Sequence, residues 1–358
     1  MTTAENPPLA VWAITPGGIE LALALCRRFA DARLYFSGRL AAPPELASGR
    51  RRPFVRLRPA VAEHFTDHTG HVFVMSTGIV VRTIAPLLES KTRDPAVVVV
   101  DEAGRHAVSL VSGHIGGANA LAVSVARAVG ADPVITTATD VNALPAVDVL
   151  AVEKGLFIEN PTAVRHVAMA LLEKRPLGLY DPLGLFRDRL PGAVPVDAGG
   201  DPAAALAGLQ PAVFVDDRVA DLPEKTLVLR PPSLVVGVGC NRHTPADEIH
   251  DFILAVLSAA RLSPASVDCL ASVDLKRDEP GLLAAARRLR LKIRFFSRAQ
   301  LAEVENIQSP SQMVQKHIGV KSVCEAAALK AAPRGSLIVP KRKIPNVTVA
   351  VVRRDSTS

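Results

Sequence analysis

Along the first 145 residues, short β-branched runs alternate with stretches of helical period. "LAVWAI" (9–14) predicts a strand, "TPGG" a tight turn, and "IELALALCRRFA" a helix whose apolar positions recur every three or four residues. "ARLYFS" predicts a second strand and the proline-flanked "GRRRPFVRLRP" a basic loop. "HVFVMS" reads as a strand entering "TGIVVRTIAPLL", a helix pattern with Ser76 or Thr77 to cap it. "AVVVVDEAG" is β-branched throughout, as in a strand covered on both faces. "HAVSLVS" then feeds the glycine bend "SGHIGGANALAVSVARAVG", and "PVITTATD" closes the series. Strands alternating with helices predict an α/β domain with a parallel sheet over 1–145.

The signal weakens over 146–230, where "PTAVRHVAMALLEK" predicts a helix and "PLGLYDP" and "AVFVDD" short strands. This reads as a small middle α/β segment ending at "LRPPS". A second α/β domain, 231–358, opens with an apolar strand closing at "GVGC". Thr244 is expected to cap the following helix, with Pro245 at its first position and Asp247 and Glu248 in its first turn. "VDCLASVDL", "KIRFF", "GSLIVP" and "VTVAVVR" predict further strands, "GLLAAARRLR" and "VKSVCEAAALKAA" helices, and "PKRKIP" an exposed loop.

Composition narrows the classes. Aromatic residues make up 4% of the chain, too few for a stacking platform that grips single-stranded nucleic acid. No apolar run is long enough for a membrane span, and the start lacks a basic region before an apolar one, so a cytoplasmic location is expected. Cys26, Cys240, Cys269 and Cys324 are widely spaced, form no C-x-x-C pair, and predict buried thiols rather than metal ligands. Net charge is +7, but residues 234–358 hold 19 Lys+Arg against 11 Asp+Glu, a balance of +8, and the remainder carries −1. An anionic partner is therefore expected at the last third.

The glycine bend is the first candidate site. His114 can act as general acid or base near neutral pH, the Gly116 and Gly117 amides can hold an oxyanion, and Asn119 adds an amide. A structural turn is the competing reading. Ser76, Thr77 and Gly78 stand at another strand-to-helix junction with Arg82 one turn on. Thr136, Thr137 and Asp140 end a further strand. Parallel strands would gather all three ends at one rim. In the last third, Gly239, Cys240, Arg242 and His243 precede a helix, Lys276 and Glu279 follow a strand, and Lys341 lies in the basic loop. Gly237-x-Gly239-x-x-Arg242 replaces the third glycine of a dinucleotide fingerprint with a cation, which argues against nicotinamide binding.

"STGIVVRTIAPLL", "DPAVVVVDEAGRHAVSLVSGHIGGANALA" and "PVITTATDVNALPAVD" resemble the amino-terminal half of the CbiG family of cobalamin biosynthesis. "VVGVGCNRHTPADEI", "SVDLKRDEPGLLAAA", "KSVCEAAAL" and "VPKRKIPNVTVAVVR" resemble its carboxy-terminal domain. The resemblance implies a cobalt-precorrin-5A hydrolase, a carbon–carbon bond hydrolase that opens the ring-A δ-lactone and releases acetaldehyde to give cobalt-precorrin-5B. It implies no cofactor, since the substrate carries the cobalt. It adds Glu325, in "KSVCEAAAL", to the residues expected to bind the anionic cobalt-corrinoid intermediate. Neighbouring enzymes of the pathway and a second copy of the chain stay open as partners; nucleic acid and membrane are not expected. Ala120, Asn241, His243 and Cys324 depart from the family pattern, Ala120 where an acidic residue is usual and His243 where glycine is usual. A non-catalytic corrinoid carrier is the alternative.

Overall fold

The computed structural model describes residues 9–90, 93–197, 199–310 and 321–355. Two compact units divide the chain, Met1–Val149 and Leu150–Ser358.

The first unit is a seven-stranded sheet in the order β3-β2-β1-β4-β5-β6-β7. Its strands are β1 (Leu9–Ala13), β2 (Arg33–Ser37), β3 (Arg51–Phe54), β4 (Gly70–Val74), β5 (Ala96–Val100), β6 (His106–Val111) and β7 (Asp132–Val134). The first five run parallel. One face packs Val11, Leu34, Val72 and Val98 against α1 (Pro16–Arg28) and α4 (Ala118–Val129). The other packs Trp12, Tyr35, Phe73 and Val97 with residues of α2 (Leu57–His64) and α3 (Thr77–Ile84). Burial on both faces is why these strands read as unbroken apolar runs.

The expected all-parallel pairing fails at one place, with a consequence for the site. β6 runs antiparallel to β5, and β7 runs parallel to β6. The stretch between β5 and β6 is too short for a crossover helix, so the two strands form a hairpin. The Asp101 carboxylate holds that turn by accepting the N–H groups of Ala103, Arg105 and His106. β6 and β7 therefore end at the edge where β4 and β5 begin.

Three local expectations also change. "TPGG" opens α1, with Thr15 Oγ1 accepting the Gly18 N–H at 3.1 Å. The basic "loop" supplies edge strand β3 and the start of α2; Pro53 is tolerated because an edge strand can lack a ladder donor. "PVITTATD" gives only the short β7, followed by α5 (Ala138–Val141).

The second unit holds two five-stranded sheets. The middle one runs β10-β9-β11-β12-β8, built from β8 (Phe157–Ile158), β9 (Leu177–Tyr180), β10 (Ala193–Pro195), β11 (Ala212–Val215) and β12 (Thr226–Arg230). The last runs β15-β14-β13-β17-β16, built from β13 (Leu234–Cys240), β14 (Val267–Val273), β15 (Lys292–Phe296), β16 (Ser336–Lys343) and β17 (Val347–Arg353). The buried Asp217, just past β11, ties the two together. Its carboxylate accepts Arg353 Nε and Nη2, each at 2.7 Å, and the Ser233 hydroxyl at 2.7 Å.

Thr244 does not cap its helix: its hydroxyl donates to the Asn241 carbonyl, and Pro245 occupies the cap position of Ala246–Ala259. "PKRKIP" is mostly strand rather than loop, because β16 pairs with β17 through Lys343, and a register irregularity accommodates Pro340. A Cβ on Gly237 would lie 1.9 Å from the Cys324 carbonyl oxygen, so this glycine lets helix Val323–Ala331 press on β13. Among the described residues no helix is long and apolar enough to cross a membrane.

Candidate active site

The bend after β6 closes on itself before α4 begins. Ser112 (φ +61°) and Gly117 (φ +85°) take left-handed conformations, the second suited to glycine. The N–H groups of Gly117, Ala118 and Asn119 donate to the carbonyls of His114, Ser112 and Gly113 at 2.8–3.0 Å. Gly113 and Gly116 are close-approach glycines. A Cβ on the first would lie 2.8 Å from Asn119 Oδ1 and on the second 2.2 Å from the Ser112 Cβ.

This turn delivers His114 into a polar cluster drawn from the ends of β6 and β7. Its Nε2 lies 3.0 Å from Asp140 Oδ2 and 3.1 Å from Thr139 Oγ1. Its Nδ1 faces Asp148 Oδ1 at 3.7 Å. Asn119 is the keystone. Its Oδ1 accepts the Ser109 hydroxyl at 2.7 Å, which turns Nδ2 toward Thr137 Oγ1 (2.8 Å) and Asp140 Oδ2 (3.1 Å). The Asp140 side chain is 39% exposed and that of Asp148 6%, so solvent reaches the Nε2 side of the ring. An imidazole oriented by a carboxylate at a wet rim can take a proton from water.

The structure thus unites His114, Asn119, Thr137 and Asp140, and leaves other expected members outside. Ser76, Thr77, Gly78 and Arg82 lie past the carboxyl end of β4, whereas the His114 bend flanks its amino end. The four-residue rise of β4 separates the two edges by about 13 Å. The single expected rim is two rims, because of the β5–β6 hairpin. Arg82 instead donates to the Gly78 carbonyl of its own helix. Two of the expected oxyanion donors are also committed elsewhere: the Gly117 N–H to His114 O, and both Asn119 Nδ2 protons to Thr137 and Asp140. The Gly116 N–H is the one left. Thr136 is exposed and outside this network. Ser109, Thr139 and Asp148 went unpicked. For Asp148 the available signal was a lone carboxylate closing the otherwise uncharged "NALPAVD".

In the second unit, Gly239, Cys240, Lys276, Lys341 and Lys343 line one hollow of about 420 Å³. Two buried glutamates, outside its lining, contact residues that form it. Glu325 accepts the N–H groups of Lys341 (2.8 Å), Gln308 (2.9 Å) and Ser309 (3.0 Å), so it shapes the hollow rather than contacting a ligand. Glu279 accepts the His243 N–H at 2.9 Å and lies 4.0 Å from Lys276 Nζ. His243 takes φ +63°, a left-handed conformation that favours glycine. Lys341 Nζ donates to Ser309 O at 2.6 Å, and exposed Arg242 pairs with Asp278 outside the hollow. Burial pushes the Cys240 thiol up to about 11, against the pull of Lys276, so it stays protonated and unreactive.

Family models match in chain order: the cobalamin synthesis G N-terminal region at 59–140, the cobalamin biosynthesis central region at 145–231 and the cobalamin synthesis G C-terminus at 234–352. The chain is 36% identical over 340 residues to the cobalt-precorrin-5A hydrolase of Salmonella typhimurium, covering 92% of this chain and 93% of that protein. To the cobalt-precorrin-5A hydrolase of Priestia megaterium it is 33% identical over 353 residues, covering 96% and 94%. Among solved structures, that of CobE, a protein from the cobalamin (vitamin B12) biosynthetic pathway, matches 34% of this chain and 89% of its own at 35% identity, with a TM-score of 0.33. With relatives this similar over nearly its whole length, the chain belongs to the cobalamin synthesis G family.

Proposed function

We propose that this chain is a cobalt-precorrin-5A hydrolase whose lactone-opening chemistry is carried by the His114 cluster. Its near full-length relatives bear that name, and one observation carries the site: a histidine beside Asp140, a carboxylate held by Asn119, at a solvent-reached rim. His114 Nε2 takes a proton from the water that attacks the lactone carbonyl. The Gly116 N–H, the expected donor that the turn does not use, meets the oxyanion. Collapse expels the ring oxygen, and His114 returns the proton to it. The freed hydroxyl on the two-carbon bridge then gives up its proton and becomes the aldehyde carbonyl, the electron pair of the broken carbon–carbon bond stays on the macrocycle and takes up a proton, and the bridge leaves as acetaldehyde. The cobalt arrives and leaves with the substrate.

The lysine hollow of the second unit suits the carboxylates of such an intermediate. A cytoplasmic location belongs to the same reading. The test supplies cobalt-precorrin-5A and follows acetaldehyde. Release by the wild type and at least a 100-fold loss in His114→Ala is expected. No release by the wild type overturns the activity, and full release by the variant overturns the base. Tight corrinoid binding without turnover is the outcome that would instead identify a carrier.

A further inference from the structure

We propose that Asp148 is the positioning carboxylate of His114. This rests on the reading of His114 as the working base. The imidazole stands between two carboxylates of unlike surroundings. Asp140, on the Nε2 side, is 39% exposed, while Asp148, on the Nδ1 side, is 6% exposed. A wet carboxylate is screened and exchanges its partners with water; a buried one holds its partner in one orientation.

Asp148 stands in the first turn of helix Val147–Glu153, and its Oδ1 accepts the Val149 N–H at 3.1 Å. Among the described residues its other polar neighbour is His114 Nδ1. A buried carboxylate with so little compensation draws a second donor, and the Nδ1 proton is the group in reach. At 3.7 Å the pair is looser than a formed hydrogen bond, as catalytic pairs are before substrate binds. With the proton fixed on Nδ1, the Nε2 lone pair is an acceptor: it takes the Thr139 hydroxyl, 3.1 Å away, until the attacking water displaces it. Asp140, 3.0 Å from Nε2, is then no hydrogen-bond partner of the ring and is left to hold that water.

The test needs no activity at first. Nitrogen-15 spectra of histidine-labelled full-length protein report which ring nitrogen carries the proton in neutral His114. The wild type is expected to carry it on Nδ1 and Asp148→Asn to move it to Nε2, facing Asp140. In the acetaldehyde assay Asp148→Asn should lose about 100-fold in kcat with KM within twofold, the size expected for a misplaced catalytic group. Asp148→Glu should recover part of it. A wild-type proton on Nε2 overturns the assignment even if the Asn variant does not fold, and so does an unchanged kcat in a folded Asn variant. Wild-type protein that gives no acetaldehyde fails the activity instead and leaves the tautomer result standing by itself.

Discussion

His71 sets the acid limit of the first unit. It is fully buried on β4, stacked against Trp12, Phe65 and Phe73. The Trp12 indole N–H donates to its Nδ1 at 3.0 Å, so its Nε2–H donates to the Phe65 carbonyl, also at 3.0 Å. The neutral ring is thus satisfied at both nitrogens, and a second proton would have no acceptor. Burial lowers its pKa from 6.5 to about 3; the Phe65 carbonyl opposes this, His68 and His64 add to it, and Asp67 opposes it weakly. Because the folded pKa is depressed, the unfolded chain takes up the proton first as pH falls. The stabilisation is complete above about pH 6.5 and is lost progressively down to about pH 3. At about 1.4 kcal/mol per pH unit, roughly 2 kcal/mol is gone at pH 5.

Trp12 is the single tryptophan of the chain and touches His71, so its fluorescence reports this unit. Urea unfolding followed at Trp12 from pH 8 to pH 4.5 is the assay. His71→Phe keeps the stack and leaves the Trp12 N–H and the Phe65 carbonyl unpaired, so it is less stable than wild type at pH 8 by about 2–4 kcal/mol. The informative quantity is the gap between the two proteins, which should narrow by about 2 kcal/mol on going to pH 5. Curves that stay parallel across that range would refute the reasoning. The experiment also divides the acid limb of any activity profile: what His71→Phe removes from it belongs to folding, and what remains belongs to the active site.

Two other perturbations probe the second unit. Asp217→Ala strands the Arg353 guanidinium between the middle and last sheets. It should lower stability by about 3 kcal/mol in denaturant titration, and a loss below 1 kcal/mol would show the tie to be incidental. Cys240→Ser replaces a thiol that burial keeps protonated, so kcat for acetaldehyde release should stay within about threefold of wild type; a hundredfold loss would make it a nucleophile after all.

Much of this molecule was legible because its signals are local. Runs such as "AVVVV" and "LVVGV" announce strands covered on both faces, and the glycines of the bend announce unusual backbone. What those glycines serve was not legible. Gly113 and Gly116 are small because Asn119 and Ser112 crowd them, contacts fixed only once the turn has closed. The same limit applies to Glu325. A carboxylate in the apolar "VCEAAALKAA" signals a buried polar group, but its partners, Gln308, Ser309 and Lys341, come from two other segments.

The largest misreading, the single rim, turned on one short stretch. Strand–helix alternation argues for parallel pairing on average, yet "DEAGR" offers Asp and Gly turn chemistry and too little chain for a crossover. That local signal outranks the global pattern, and heeding it reverses β6 and everything after it. The reversal is what makes the site. Had β6 run parallel to β5, His114, Asn119 and Asp140 would have joined Ser76 and Arg82 at the carboxyl edge of β4. Instead the imidazole stands at the opposite edge, served by carboxylates from the chain that follows β7 and by no group from the β4 junction. Replacing Arg82 should therefore leave the His114 nitrogen-15 signals where they are, whereas Asn119, one turn from the bend, cannot change without moving them.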